Sequence, residues 1–112
     1  MDYQERHKIL KELGDGFIEE AEKSLEKEYS KAAIIFYSTS WACYQACEEV
    51  NLANTCDEKL REIFDLDDKT LEITHDYGRK TLNYMNNLSS FVSAYFGNEK
   101  NLLEKKPKGV FD

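Results

Sequence analysis

The chain has 112 residues, of which 41% are apolar, and its 22 acidic and 15 basic residues give a net charge of −7. This length supplies one hydrophobic core, and the negative charge disfavours general binding to nucleic acid or to anionic membranes. Five glycines and one proline, Pro107, leave few breaks in the chain, which argues against sheets with many tight turns. The composition therefore predicts a small, acidic, all-α domain.

The amino terminus is charged, with Asp2, Glu5, Arg6 and Lys8 close together, and lacks the apolar segment of a cleaved secretion signal. We therefore expect a cytoplasmic protein. The longest uncharged run, residues 32–47, is 16 residues long and includes several hydroxyl side chains. It is too short and too polar to cross a bilayer, which takes about 20 apolar residues.

The first predicted helix covers residues 2–27. Gly14 and Gly16 lie within it, and each costs about 1 kcal/mol relative to alanine. The apolar stripe keeps its phase across them, so we expect one helix with a kink there; the alternative is a stop at Gly14 and a restart capped by Asp15. Apolar side chains recur at a spacing of four residues, and Leu10 and Ile18 widen this stripe. The pattern is typical of one helix face: Ile9, Leu13, Phe17, Ala21, Leu25 and Tyr29.

The second predicted helix, residues 30–51, has apolar or small side chains on nearly every side between residues 32 and 47. A helix without a polar face is buried among other helices, so we expect it at the centre of the bundle. A connection with capping residues is predicted at residues 54–57. A short third helix follows and ends near Asp65.

The last predicted helix covers residues 69–96, and the acidic residues 65–68 before it supply an N-cap. Three long helices and one short one predict an all-α antiparallel bundle of about four helices. We expect a single domain over residues 1–98 and a partly disordered tail over residues 99–112. The core stripe of the last helix alternates steps of four and three residues: Leu71, His75, Gly78, Leu82, Met85, Ser89, Val92 and Phe96.

Aromatic residues make up 12% of the chain, and seven of them are tyrosines. Tyrosine is enriched at protein interfaces, where its polar end stays hydrated. The leading hypothesis is therefore a non-catalytic interaction domain that forms a homodimer or binds a protein partner through the second and last helices. The residues expected at this interface are Phe36, Tyr37, Trp41, Tyr44, Tyr84, Phe91 and Tyr95.

Three cysteines without a secretion signal indicate free thiols rather than disulfides. Cys43 and Cys47 are four residues apart on one helix, so both could contact one metal ion, and Cys56 with His75 would complete the ligand set. Thiols in a helix rich in alanine and aromatic residues usually pack as small apolar groups, so metal binding is the alternative to core packing.

Other cofactor chemistry has little support in the sequence. Glu72 and His75 form one Glu-x-x-His step, whereas di-iron bundles need two. The chain contains no glycine-rich phosphate loop and no Cys-x-x-Cys pair. We therefore expect no cofactor.

The stretch from Glu28 and Tyr29 through Ala32 and Phe36, with small residues up to Ala46, resembles the second helix of HEPN-type domains, over about a fifth of the chain. The spacing of Tyr29, Ala32 and Phe36 is also similar to one helix of a tetratricopeptide unit. The HEPN resemblance implies a small helical bundle that commonly dimerises. In catalytic members it implies a ribonuclease in which four to six residues separate an Arg from a following His on a late helix.

That order is absent, because Arg61 precedes His75 by 14 residues and Arg79 follows it by four. The resemblance therefore implies a non-catalytic member. Since His75 and Arg79 share one helix face, a toxin-antitoxin component or ribonuclease that uses both is the alternative function. A bundle that binds metal through Cys43, Cys47 and Cys56 is the third.

Overall fold

The computed structural model describes the backbone of residues 2–96 and the side chains of residues 2–86. Four α-helices cover this range: α1 (Tyr3–Glu26), α2 (Ser30–Ala46), α3 (Val50–Phe64) and α4 (Asp68–Phe96). Residues 2–96 contain no strand, which confirms the predicted all-α class with four helices. Within the same range no helix has both the length and the hydropathy needed to cross a membrane.

The chain divides into two compact units, residues 1–82 and 83–112, and the boundary lies inside α4. The first unit contains α1, α2, α3 and the beginning of α4. Of the second unit, the structure describes the continuation of α4 to Phe96. The single domain predicted for residues 1–98 crosses this boundary, and the tail predicted from residue 99 lies outside the described residues.

The central helix of the first unit is α2, as its uncharged sequence predicts. Every residue from 37 to 44 is buried. α1 and α3 pack against α2, and α4 approaches it at Gly78. A Cβ atom at Gly78 would overlap the carbonyl oxygen of Ser38, so only glycine permits this approach of α4 to the α2 backbone.

The buried face of α1 follows most of the predicted stripe, because its members between residues 10 and 25 are buried or half-buried. Leu10, Ala21 and Ser24 are buried, whereas Ile9 and Tyr29 are 46% and 60% exposed. Ala21 belongs to the predicted stripe and is buried, whereas the buried Ser24 was not predicted, because a helix that packs closely on a neighbour also buries small polar residues. The predicted stripe is therefore wrong at Ile9 and Tyr29.

Gly14 lies at the contact between α1 and α2. A Cβ atom there would stand 2.6 Å from a ring carbon of Tyr44, and the Gly14 carbonyl accepts a hydrogen bond of 2.8 Å from the hydroxyl of Ser40. α1 continues through Gly14 and Gly16. The predicted single helix is therefore confirmed, and the alternative restart at Asp15 is wrong. The glycine at position 14 serves the packing instead, since it allows α1 to approach α2 closely.

The connection between α2 and α3 differs from the prediction. α2 ends at Ala46 rather than at residue 51, and the connection predicted at residues 54–57 lies inside α3. α3 is the shortest of the four helices, as predicted, but its 15 residues are close to the 17 of α2, because it begins at Val50 rather than after residue 57. The true connection centres on Glu48, whose φ of 61° is left-handed. Glycine is usual at that position, so a glutamate gives no signal in the sequence.

The start of α4 agrees with the prediction. The backbone N–H of Thr70 donates a hydrogen bond of 2.8 Å to Oδ1 of Asp67, and bonds from Thr70 lower the pKa of Asp67. Leu71, Gly78 and Leu82 are buried and His75 is half-buried, which confirms the predicted core stripe over this part of α4.

Candidate functional site

His75 and Arg79, the two residues singled out for chemistry, both contact Trp41. The imidazole of His75 stacks on the indole with ring centroids 3.7 Å apart and planes inclined by 4°. The Cζ atom of Arg79 lies 4.8 Å from the centroid of the same ring. α4 presents both side chains to α2 because they are one helical turn apart.

Asp57 of α3 completes this cluster. Its Oδ1 atom lies 2.7 Å from Nε2 of His75, and only 15% of the His75 side chain is exposed. Arg79 bonds to Asp76 at 2.9 Å, and both of these side chains are largely exposed. The cluster therefore links α2, α3 and α4. The imidazole of His75 and the guanidinium of Arg79 both lie against the Trp41 ring.

The aromatic residues predicted to form an interface fall into separate groups. Tyr37, Trp41 and Tyr44 are buried within this chain, at 2–5% exposure, and Phe36 is half-buried. Tyr84 is 68% exposed. The side chains of Phe91 and Tyr95 lie outside the described residues. The buried rings of α2 pack inside this chain, so they are not accessible to a partner. Any apolar surface that could bind a partner must consist of other, exposed residues.

All three cysteines are buried free thiols. Burial raises the pKa of Cys43 to about 12 and that of Cys56 to about 11. Cys56 donates to the hydroxyl of Ser40 at 3.7 Å, and Cys47 donates to the carbonyl of Tyr44 at 3.6 Å. Among residues 2–86, no three His, Cys, Asp or Glu side chains form a group that could hold a metal ion.

An apolar groove of about 260 Å³ lies between α2 and α4 in the first unit. Ile34 and Ile35 line it from α2, and Ile73 and Tyr77 line it from α4. Ile35, Ile73 and Tyr77 are 41%, 58% and 60% exposed, which is unusual for such large apolar side chains lying together. We call this surface the α2–α4 groove.

The floor of the α2–α4 groove is apolar although two hydroxyl residues lie in it. Ser38 donates to the carbonyl of Ile34 at 2.7 Å, and Thr74 donates to the carbonyl of Leu71 at 2.6 Å. Because both hydroxyl hydrogens are bonded within their own helices, they are not available to water or to a ligand. The floor therefore offers mainly methyl groups and one aromatic ring.

One lysine lines the α2–α4 groove, and two more share the α4 face that contributes to it. Lys31, the only charged residue of α2, lines one end. Lys69 and Lys80 are exposed on α4, at positions four residues before Ile73 and three after Tyr77, so they share that helix face. None of the three forms an ion pair with residues 2–86. Asp76, three residues after Ile73, is exposed on the same side of α4 but is paired with Arg79. The three lysines therefore leave unpaired positive charge beside the groove, in a chain with a net charge of −7.

Sequence reasoning placed His75 and Arg79 on one face but missed Asp57 and the α2–α4 groove. Asp57 is 18 residues from His75 and on another helix, so no local spacing indicates their bond. Ile35 and Ile73 could not be singled out from the sequence, because their helices contain many other apolar residues.

Compared with known proteins, the chain matches no family model, no curated protein and no solved structure.

Proposed function

We propose that this protein is a helical interaction domain whose α2–α4 groove binds an acidic amphipathic helix of a partner protein. The observation that carries the proposal is the exposed apolar groove with the lysines beside it. Apolar side chains that remain exposed together mark interaction surfaces more often than isolated ones do. A groove between two helices suits a third helix, which places residues at spacings of three and four against it.

Charge selects the kind of helix. Lys31, Lys69 and Lys80 lack carboxylate partners among the described residues, so glutamates flanking the apolar stripe of a bound helix would meet them. The concave shape favours a helix over a flat anionic membrane. The sequence left two kinds of partner open, a second copy of this chain or another protein, and binding of a second copy is an outcome of the test below.

The test uses a synthetic helix of about 20 residues with leucines along one face and glutamates beside them, and a matched helix with lysines in place of the glutamates. Fluorescence anisotropy measures binding of each peptide to the full chain. We expect the acidic helix to bind more tightly than the basic one, by roughly tenfold. Equal affinity for the two peptides, or binding to neither, would contradict the proposal.

Variants locate the binding surface. Ile73→Asp places a charge in the α2–α4 groove and should weaken binding at least roughly tenfold. Ile63→Asp is the matched control, because Ile63 is 43% exposed on α3 and does not line the groove. Lys31→Glu should reverse the preference between the two peptides. Similar losses in both isoleucine variants would exclude this groove as the binding surface.

Two further measurements distinguish other occupants. Sedimentation of the parent chain and of Ile73→Asp reports self-association, and a dimer lost in the variant would assign the face to a second copy. Binding to phosphatidylserine vesicles that is lost in the same variant would assign it to a membrane surface. Either result would overturn the proposed partner helix.

A second candidate function is RNA cleavage by His75 and Arg79, in line with the HEPN resemblance. It is favoured by one observation, that the imidazole and the guanidinium lie on the same indole with Asp57 bonded to the imidazole. A carboxylate that orients a histidine is a common feature of acid–base sites.

The ribonuclease candidate is tested with a labelled RNA oligonucleotide. His75→Asn and Arg79→Gln should abolish cleavage while circular dichroism stays that of a folded helical protein. Arg61→Gln is the matched control, since Arg61 is also exposed and ion-paired, here with Asp68 at 2.6 Å. An inactive parent, or activity that survives both substitutions, would remove this candidate.

A further inference from the structure

A second cavity, of about 290 Å³, lies between α1, α2 and α3 and shares no lining residue with the α2–α4 groove. Ile18 and Leu52 supply apolar surface, and Tyr37 and Tyr44 supply two aromatic rings. We call it the tyrosine cleft. Its size is at the lower end for small-molecule sites, so it suits a ligand of few heavy atoms.

The charged groups of the tyrosine cleft are mainly acidic. Asp15 and Glu22 of α1 bring two carboxylates and Lys59 of α3 brings one ammonium, which leaves a formal charge of −1 on the lining. Glu22 and Lys59 form no ion pair with residues 2–86. The carboxylate of Glu22 is therefore available to a positively charged ligand.

Tyr37 gives independent evidence for a ligand. The residue is only 2% exposed and belongs to the core cluster with Ala21, Leu60 and Leu71, yet it also lines the tyrosine cleft. No hydrogen bond joins its hydroxyl to residues 2–86, and no fully enclosed side-chain oxygen of this range lacks a partner, so the hydroxyl reaches the open space of the cleft. A hydroxyl on so deeply buried a side chain takes its partner from that space, which is water or a ligand.

Tyr44 holds the acidic wall in place. Its hydroxyl donates a hydrogen bond of 2.5 Å to Oδ1 of Asp15, one residue after the close contact at Gly14. The second carboxylate oxygen of Asp15 receives an ion pair from Lys11 at 3.4 Å, and both of those side chains are about half exposed. The Asp15 carboxylate is thus oriented beside the aromatic ring, which adds to the negative electrostatic environment of the cleft.

We infer that the tyrosine cleft binds a small organic cation, namely a primary alkylammonium with a short apolar chain. The ammonium donates to the carboxylate of Glu22 and to the hydroxyl oxygen of Tyr37, while Asp15 remains bonded to Tyr44 and Lys11 at the side of the cleft. The alkyl chain packs on Ile18 and Leu52. Tyrosine rings beside a cation contribute further attraction through their π faces.

The first experiment titrates the full chain with n-butylammonium and follows amide resonances by NMR. n-Butanol and butyrate serve as neutral and anionic probes of similar shape. We expect saturable shifts at residues lining the tyrosine cleft with the ammonium only. Equal shifts with butanol would show an apolar cavity without charge selection, and no saturable shift with any probe would exclude the site.

Variants then assign the contacts. Glu22→Gln should weaken n-butylammonium binding roughly tenfold, because it removes the free carboxylate. Tyr37→Phe should weaken it a few fold while keeping the ring in the core. Lys59→Met should strengthen binding, because it removes a positive charge that repels the ammonium. A variant that merely disrupted the fold could not bind more tightly.

Matched controls use exposed residues of α1 that do not line the tyrosine cleft. Glu19→Gln and Lys23→Met change the same net charges as the Glu22 and Lys59 variants, at positions outside it. Both should leave the affinity unchanged. An equal loss in Glu19→Gln would mean that the ammonium binds the acidic surface in general, and an unchanged affinity in Lys59→Met would contradict the assigned position of the charge.

Discussion

At Gly78 a missing side chain sets the distance between α4 and α2. A Cβ atom there would overlap the Ser38 carbonyl, which is backbone and cannot rotate away. Gly78→Ala gains helix propensity of about 1 kcal/mol but must push two helices apart. We expect a net loss of about 2 kcal/mol in the free energy of unfolding, measured by urea denaturation.

Gly16 provides the matched control for this prediction. A Cβ atom at Gly16 would meet nothing within 4 Å, although the residue also lies inside a helix. Gly16→Ala should therefore raise the free energy of unfolding by about 0.5–1 kcal/mol. If both alanine variants shift stability in the same direction, the close approach at Gly78 does not determine the packing of α4.

At the scale of elements, two connections of the first unit have the same design. Glu28 between α1 and α2, and Glu48 between α2 and α3, have φ values of 62° and 61°. In each turn the following N–H bonds at 2.8 Å to a carbonyl five residues earlier, from Tyr29 to Ser24 and from Glu49 to Tyr44. These hydrogen bonds satisfy carbonyl groups at the helix ends that have no partner within the helix.

Glycine should stabilise such a turn. Glu28 has a Cβ atom in a left-handed conformation, which costs about 1 kcal/mol and which glycine avoids. Glu28→Gly should therefore raise the urea midpoint by an amount equivalent to about 0.5–1 kcal/mol. Glu58→Gly, at an exposed position inside α3, should lower it by about 1 kcal/mol. Destabilisation by Glu28→Gly would mean that the glutamate side chain itself holds the turn.

These turns also explain which elements could be predicted. α1 and α4 have a recognisable acidic cap, Asp2 and Asp67, whose side chains accept backbone bonds of 2.8 Å. Their starts are therefore readable from the sequence. The end of α2 has no such signal, because Ala46 and Cys47 are apolar and the left-handed residue is a glutamate. Helix boundaries are thus predictable where a side chain makes the cap and not where the backbone alone makes it.

For the whole molecule, the apolar content of α2 predicted its central position but not its neighbours. Which rings are buried depends on contacts such as Trp41 with His75, which join residues 34 positions apart. The candidate site has the same property, since Ile35 and Ile73 line one groove from two different helices and no sequence pattern links them. Long-range pairing of this kind requires the packed structure.

The core of the first unit also contains ionisable groups that must stay neutral. Burial raises the pKa of Cys43 to about 12 and of Cys56 to about 11, from 9.0. Burial likewise raises the pKa of Tyr37 and of Tyr44, the latter also through its bond to Asp15. In the unfolded chain these groups titrate at their ordinary values, so the folded state retains more protons at high pH.

Stability should therefore fall in alkaline solution. The urea midpoint should be constant from about pH 7 to about pH 8.5 and then fall as the pH rises from about 9 towards 11, since each proton lost only by the unfolded state contributes about 1.4 kcal/mol per pH unit. Cys43→Ala lowers stability at all pH values because it leaves a cavity, but it should make the alkaline slope shallower. A midpoint that stays flat up to about pH 10.5, or an unchanged slope in Cys43→Ala, would show that these thiols and hydroxyls titrate alike in both states.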